Sequence, residues 1–219
     1  KLTPLTGGYR RTPVLQDGAD VWCDTKLIAR ELERRVPQPT FYPPNTSGMA
    51  DAVAWWAEQQ FMRPTALYVS GINADHMPEG LHADRAKLHG LPLPSIEAVR
   101  KAAFRNLQLV RPQIKWIADM LADEKPYLLG DLPCIADFAA YHPLWFTRTR
   151  VPGMAPILDA TPAVLEWMDR VAALDVLEAD RRVDSARIGV IGHGLGGTNA
   201  LMLAATDGRV QCCVASCGF

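Results

Sequence analysis

Four prolines fall within nine residues, Pro37-Gln-Pro-Thr-Phe-Tyr-Pro-Pro-Asn45. A proline has no backbone N–H and a fixed φ, so neither a helix nor a central strand runs on through such a stretch. It reads as an ordered linker that splits the chain into two differently patterned parts. Before it, Thr12-Pro-Val-Leu-Gln16 and Ala19-Asp-Val-Trp-Cys23 are short apolar runs on either side of Asp17-Gly18. An Asp-Gly pair in that place predicts a hairpin, because glycine accepts the positive φ of a tight turn. Asp24 then caps a predicted helix with Leu27, Ile28, Leu32 and Val36 on one face.

After the linker the pattern is helical. The spacing predicts a helix from Met49 to Ser70 that Pro64 kinks or ends, then a loop over 71–94 rich in Gly, Pro and His. Ser95 opens a helix reaching Glu124 and bent near Pro112, Cys134 to Phe146 is an apolar helix, and Thr161-Pro162 starts a short amphipathic one. The character changes near Leu174. Asp175 to Asp184 reads as a helix, Arg187 to Gly192 as a buried strand, Thr198 to Ala205 as a helix and Val210 to Ser216 as a strand. Such a strand-turn-helix-strand unit belongs to a parallel sheet, yet about 45 residues are too few to cover both faces of one.

Of the 219 residues 48% are hydrophobic and 21% charged, and 23 Lys+Arg stand against 24 Asp+Glu. A net charge of −1 offers no basic patch for nucleic acid or a membrane surface. No apolar run approaches the 18 or so residues of a bilayer span. The N-terminus lacks the pattern of a signal peptide, and the five cysteines are odd in number without C-x-x-C spacing. Cytoplasmic location is therefore the expectation, with neither a disulfide framework nor a bound metal.

Thr12-Pro13 at the start of a strand suits a bend or a cis peptide, and the helix opening at Asp24-Thr25 offers free N–H groups and a hydroxyl to a carboxylate. Read without any relative in mind, Asp24 is also no more than a cap and Pro13 no more than a strand-edge residue. Tyr9-Arg-Arg-Thr-Pro-Val-Leu15, then Cys23-Asp-Thr-Lys-Leu-Ile-Ala29, then the Pro-rich linker, resemble the second half of the thioredoxin-like domain of glutathione transferases. The resemblance implies that Pro13 is that family's cis-proline and that Thr12 pairs through its backbone with the cysteinyl part of glutathione. It also implies that Asp24-Thr25 holds the γ-glutamyl carboxylate. Leu128-Leu-Gly-Asp-Leu-Pro-Cys-Ile-Ala-Asp-Phe138 is similar to the family's capping segment, with Cys134 where a hydroxyl is usual, so that Asp137 alone is expected to keep the box. The resemblance covers residues 1–174. The family's first strand-helix-strand, which carries the thiolate-stabilising residue, is expected before Lys1. Tyr9 and Cys23 are the nearest candidates here, and neither matches a catalytic position, so the catalytic residue is unassigned.

Gly192-His-Gly-Leu-Gly-Gly197 has two readings. As G-x-G-x-x-G it fits a dinucleotide turn, but no acidic residue follows near Ser216. Residues 185–219 more closely resemble the nucleophile elbow of α/β-hydrolases, Gly-x-Ser-x-Gly, which falls on Gly192, His193, Gly194, Leu195 and Gly196. Gly194 then occupies the serine position, His193 is an elbow neighbour rather than a base, and acyl transfer through this turn is impossible. His76, His82 and His89 read as solvated loop histidines, and the tryptophans at 55, 56, 116 and 145 as core. The helix after the linker lines the electrophile pocket in transferase-like proteins, which makes Trp56 and Gln59 candidate substrate contacts.

The expected fold is mainly α with α/β parts. Its divisions are a partial thioredoxin-like unit over 1–36, a linker over 37–46, an all-helical transferase-like domain over 47–174, and a hydrolase-like β-turn-α-β segment over 175–219. The chain reads as a chimera that binds glutathione as cosubstrate and, if active, conjugates it to a small electrophile as a glutathione transferase. A homodimer is one expected assembly. Two alternatives stay open: a protein related to esterases or dienelactone hydrolases that Gly194 inactivates, and a non-enzymatic interaction module with an unpaired sheet edge.

Overall fold

The computed structural model describes residues 3–11, 13–77, 80–88, 90–122, 124–151 and 158–172, together with the backbone of 188–193 and 210–216. The chain forms two compact units, one of Lys1–Phe41 with Ala173–Phe219 and the other of Tyr42–Ala172.

In the first unit, β1 (Val14–Asp17) and β2 (Asp20–Cys23) pair antiparallel with Val14 opposite Cys23 and Asp17 opposite Asp20. Gly18 turns the hairpin at a φ of 59°, a conformation that glycine takes without strain. Helix α1 (Thr25–Arg35) follows without a spacer. Its seating differs from the expectation of an apolar face turned inward. Leu27, Leu32 and Val36 are exposed, whereas Ala29 and Glu31 are buried. The reason is a charged clamp. Glu31 accepts from Arg34 Nε at 2.9 Å and Arg35 Nε at 2.6 Å, and Arg35 also pairs with Asp17 of β1 while lying over the Trp22 ring. These contacts bind the helix to the hairpin along its polar edge. A two-stranded sheet is too narrow to cover the apolar stripe as well. The linker returns to the same helix, since Glu33 accepts from the Phe41 N–H at 2.8 Å. The only cis peptide among the described residues is Gln38–Pro39, and the bond expected to be cis, at Pro13, involves Thr12, which lies outside them.

The second unit is helical. Its helices are α2 (Ser47–Trp56), α3 (Met62–Ile72), α4 (Leu81–Leu88), α5 (Ile96–Met120), α6 (Ile135–Arg150) and α7 (Pro162–Val171). A π turn over Ala57–Phe61 joins α2 to α3, so the helix that Pro64 was expected to kink or end widens one turn earlier and continues. The loop expected over 71–94 holds a 3-10 turn at Ala74–His76 and the helix α4, which places His82 on a helix; His89 lies outside the described residues. Pro112 stays inside a continuous α5, on its solvent side. The core is built from Phe61, Val110, Ile114, Ile117, Leu144 and Trp167, each at most 2% exposed. Trp55 and Trp116, expected in the core, are 56% and 50% exposed, and Trp167 is the fully buried tryptophan.

Asp137 ties three parts of this unit together. It is fully buried and accepts four hydrogen bonds, from Leu128 N at 2.9 Å, Trp167 Nε1 at 2.8 Å, Cys134 N at 2.9 Å and the Cys134 thiol at 3.3 Å. The capping box at the start of α6 closes in both directions, so Cys134 takes a part that Asp137 was expected to play alone. Burial pushes the Cys134 thiol up to about 12, and the Asp137 charge acts in the same sense.

At the C-terminal end of the chain β3 (Ile188–His193) and β4 (Val210–Ser216) pair in parallel with a register shift at Ile188/Gly189. The helices expected over 175–184 and 198–205 lie outside the described residues. No helix among the described residues is long and apolar enough to cross a membrane.

Candidate functional site

The hairpin register brings Pro13 and Asp24 together. Val14 and Cys23 are cross-strand partners, and one residue further out the Asp24 N–H donates to the Pro13 carbonyl at 3.2 Å. Two residues separated by eleven positions thus share a corner from which α1 starts. Asp24 caps that helix, its Oδ1 accepting from Lys26 N at 3.1 Å. It does so with a φ of 81°, a left-handed conformation that costs a non-glycine residue roughly 1 kcal/mol or more and is common at binding sites. Thr25, exposed, is the first residue of the helix, beside N–H groups without intrahelical partners.

Tyr9 completes the corner. Its hydroxyl donates to Asp24 Oδ2 at 3.4 Å, and burial, followed by the adjacent Asp24 charge, raises the phenol above its ordinary range. The group remains a protonated donor at neutral pH. The corner therefore offers the Asp24 carboxylate, the side-chain hydroxyls of Tyr9 and Thr25 and the positive end of a helix dipole, which together suit a ligand carrying both an ammonium and a carboxylate. Thr12 lies outside the described residues.

Trp56 and Gln59 are brought together on a different surface, an open groove of about 560 Å³ in the helical unit. One wall is the end of α2, the π turn and α3, with Trp56, Gln59, Arg63 and Leu67; the other is α5, with Leu109, Gln113 and Trp116. Local backbone chemistry explains the wall. Pro64 has no N–H to give the Gln60 carbonyl four residues back. The π turn reroutes the ladder, with Met62 N bonding Ala57 O, and Gln113 Nε2 crosses from α5 to donate to Gln60 O at 3.1 Å. The Trp56 ring stacks on Phe61 with centroids 5.5 Å apart and meets Trp116 at 5.8 Å. The participation of Gln113 has no local sequence signal, because it depends on how α3 and α5 cross.

Of the elbow residues, Gly192 and His193 end β3, while Gly194, Leu195 and Gly196 lie outside the described residues. Among the described residues no group of three or more His, Cys, Asp or Glu could hold a metal ion.

Comparison with known proteins bears on both units. No curated protein matches the chain. A GST-like protein from Pseudomonas syringae is 34% identical with a TM-score of 0.52, over 78% of this chain and 52% of that one. The chain therefore spans about half the length of that relative. A glutathione S-transferase from Methylobacterium radiotolerans JCM 2831, solved with glutathione sulfonate, is 18% identical over 74% of this chain and 68% of its own, with a TM-score of 0.53. The β-etherase LigF from Sphingobium sp. strain SYK-6 is 16% identical over 78% of this chain and 77% of its own, with a TM-score of 0.57. Residues 97–170 match the glutathione S-transferase C-terminal domain family, and the fold of the chain is glutathione-transferase-like.

Proposed function

We propose that the chain binds glutathione at the corner formed by Thr12, Pro13, Asp24 and Thr25, as the cosubstrate for conjugation to a small electrophile. The observation that carries this reading is the Asp24 N–H bond to the Pro13 carbonyl, which sets the start of β1 beside the N-terminus of α1. The γ-glutamyl group is a zwitterion. Its carboxylate suits the Thr25 hydroxyl and the free helical N–H groups, and its ammonium suits Asp24. The backbone of Thr12 is left to pair with the cysteinyl part. Trp56 and Gln59 line the pocket for the electrophile. The glutathione sulfonate bound by the Methylobacterium protein supports the same ligand class.

Calorimetric titration of the full chain with glutathione tests the reading. Saturable heat at millimolar ligand is expected, weakened about tenfold in Asp24→Ala and about fivefold in Thr25→Val, from the loss of one ion pair and of one hydroxyl hydrogen bond to a carboxylate. No heat from the folded chain, or an unchanged affinity in both variants, would contradict it. The proposal also takes the protein as cytoplasmic and as a homodimer, the latter checked by sedimentation at several concentrations.

The parallel pairing of β3 with β4 favours a second reading, a chimeric chain whose C-terminal part derives from an α/β-hydrolase. With glycine at position 194 there is no Oγ to acylate. The chain is expected to leave p-nitrophenyl acetate at its background rate, and turnover would contradict that assignment.

A further inference from the structure

The groove of the helical unit combines apolar walls, a single charge and a buried acceptor with no donor. Trp56, Leu67, Leu109 and Trp116 supply the walls, and Trp116, half exposed, leaves ring surface open. Among the described residues Arg63 is the only charged one lining the groove, and none of their carboxylates pairs with its exposed guanidinium. Gln113 is 7% exposed. Its Nε2 donates to both Gln60 O, at 3.1 Å, and Leu109 O, at 2.9 Å, which fixes the orientation of the amide. Oε1 is left buried with no partner, on a residue that lines the groove. A buried acceptor without a donor is rare enough in native structures to call for an explanation, and a ligand donor is one.

We infer that this groove selects a planar aromatic monoanion that carries a hydrogen-bond donor, an aryl carboxylate with a phenol or amide N–H. The carboxylate pairs with Arg63, the ring lies against Trp116, and the donor satisfies Gln113 Oε1. A neutral aromatic forgoes the ion pair, and an acid without a donor leaves Gln113 unsatisfied. A dianion brings a charge that nothing in the groove neutralises. The inference rests on the groove being the acceptor pocket of the proposed function, and it does not depend on glutathione binding.

The test is calorimetry on the full chain at about pH 7, with 4-hydroxycinnamate, its methyl ester and cinnamate as probes; there the carboxylates are ionised and the phenols are not. 4-Hydroxycinnamate is expected to saturate the site, with the ester and cinnamate each binding about five- to tenfold more weakly. Arg63→Gln is expected to bring the acid to the level of the ester and leave the ester unchanged, while Trp116→Ala weakens all three. Equal affinity for acid and ester, or an acid preference that survives in Arg63→Gln, overturns the ligand class but not the pocket. Absence of binding by all three probes at millimolar concentration overturns the pocket itself. Glutathione titrated alone into the same preparation judges the glutathione reading separately. A concentration-dependent dimer that Trp116→Ala dissolves and 4-hydroxycinnamate does not displace would make a second copy the occupant, and would overturn the inference as well.

Discussion

Asp137 shows how much one residue can decide. Its carboxylate serves the N-terminus of α6, the loop at Leu128 and the buried indole of Trp167 at once. Asp137→Asn keeps the shape but turns an NH₂ group towards donors, so chemical denaturation is expected to show a loss of about 2–3 kcal/mol. A loss below about 0.5 kcal/mol would show that the network adds little. Cys134→Ser places a better capping atom at the same site and is expected to stabilise by about 0.5–1 kcal/mol in the same assay. Glu31 sets a pH dependence. Its hydrogen bonds from Arg34 and Arg35 lower its pKa from 4.5 to about 2. A folded pKa below the unfolded one means that the unfolded chain binds more protons, so this contribution is full above about pH 4.5 and is lost as pH falls towards 2. Acid titration of Glu31→Gln should lack the part of the pH-dependent stability that the native chain shows in that window. Identical acid profiles would refute the clamp.

At the scale of elements, the tightest constraint is a crossing. α3 passes α5 at Gly71, where an added Cβ would lie 2.6 Å from Ala103 Cβ and 2.7 Å from the Val99 carbonyl. Neither atom is the end of a flexible side chain, so the helices must separate to admit a methyl group. Gly71→Ala is expected to cost about 1–3 kcal/mol of unfolding free energy, even though alanine is the better helix former. A neutral or stabilising result would mean that the crossing is looser than it is described. The sequence alone located the hairpin, the cap at Asp24 and the long helix opening at Ser95, because turn and cap chemistry acts over a few residues. It did not locate the π turn before Pro64, whose freed carbonyl is answered by Gln113 from another helix. Nor did it show that α1 seats on a charged edge, because periodicity reports which face is apolar and not what lies opposite. α4 went unread among the glycines, prolines and histidines of 71–94, its eight residues being too short for a clear period.

For the molecule as a whole, the two candidate sites lie in different units and rest on different physics. The corner at Pro13 and Asp24 was legible because both of its parts carry local signals, a proline at a strand start and a capped helix. The groove was legible only as Trp56 and Gln59; Arg63, Gln113 and Trp116 joined it through helix packing. The central claim is that the N-terminus of α1 receives glutathione, and amide chemical shifts of the full chain during a glutathione titration test it most directly. Saturable shifts centred on the N–H groups of Asp24, Thr25 and Lys26 are the expected result. Shifts confined to other segments, or none at millimolar glutathione, would contradict it.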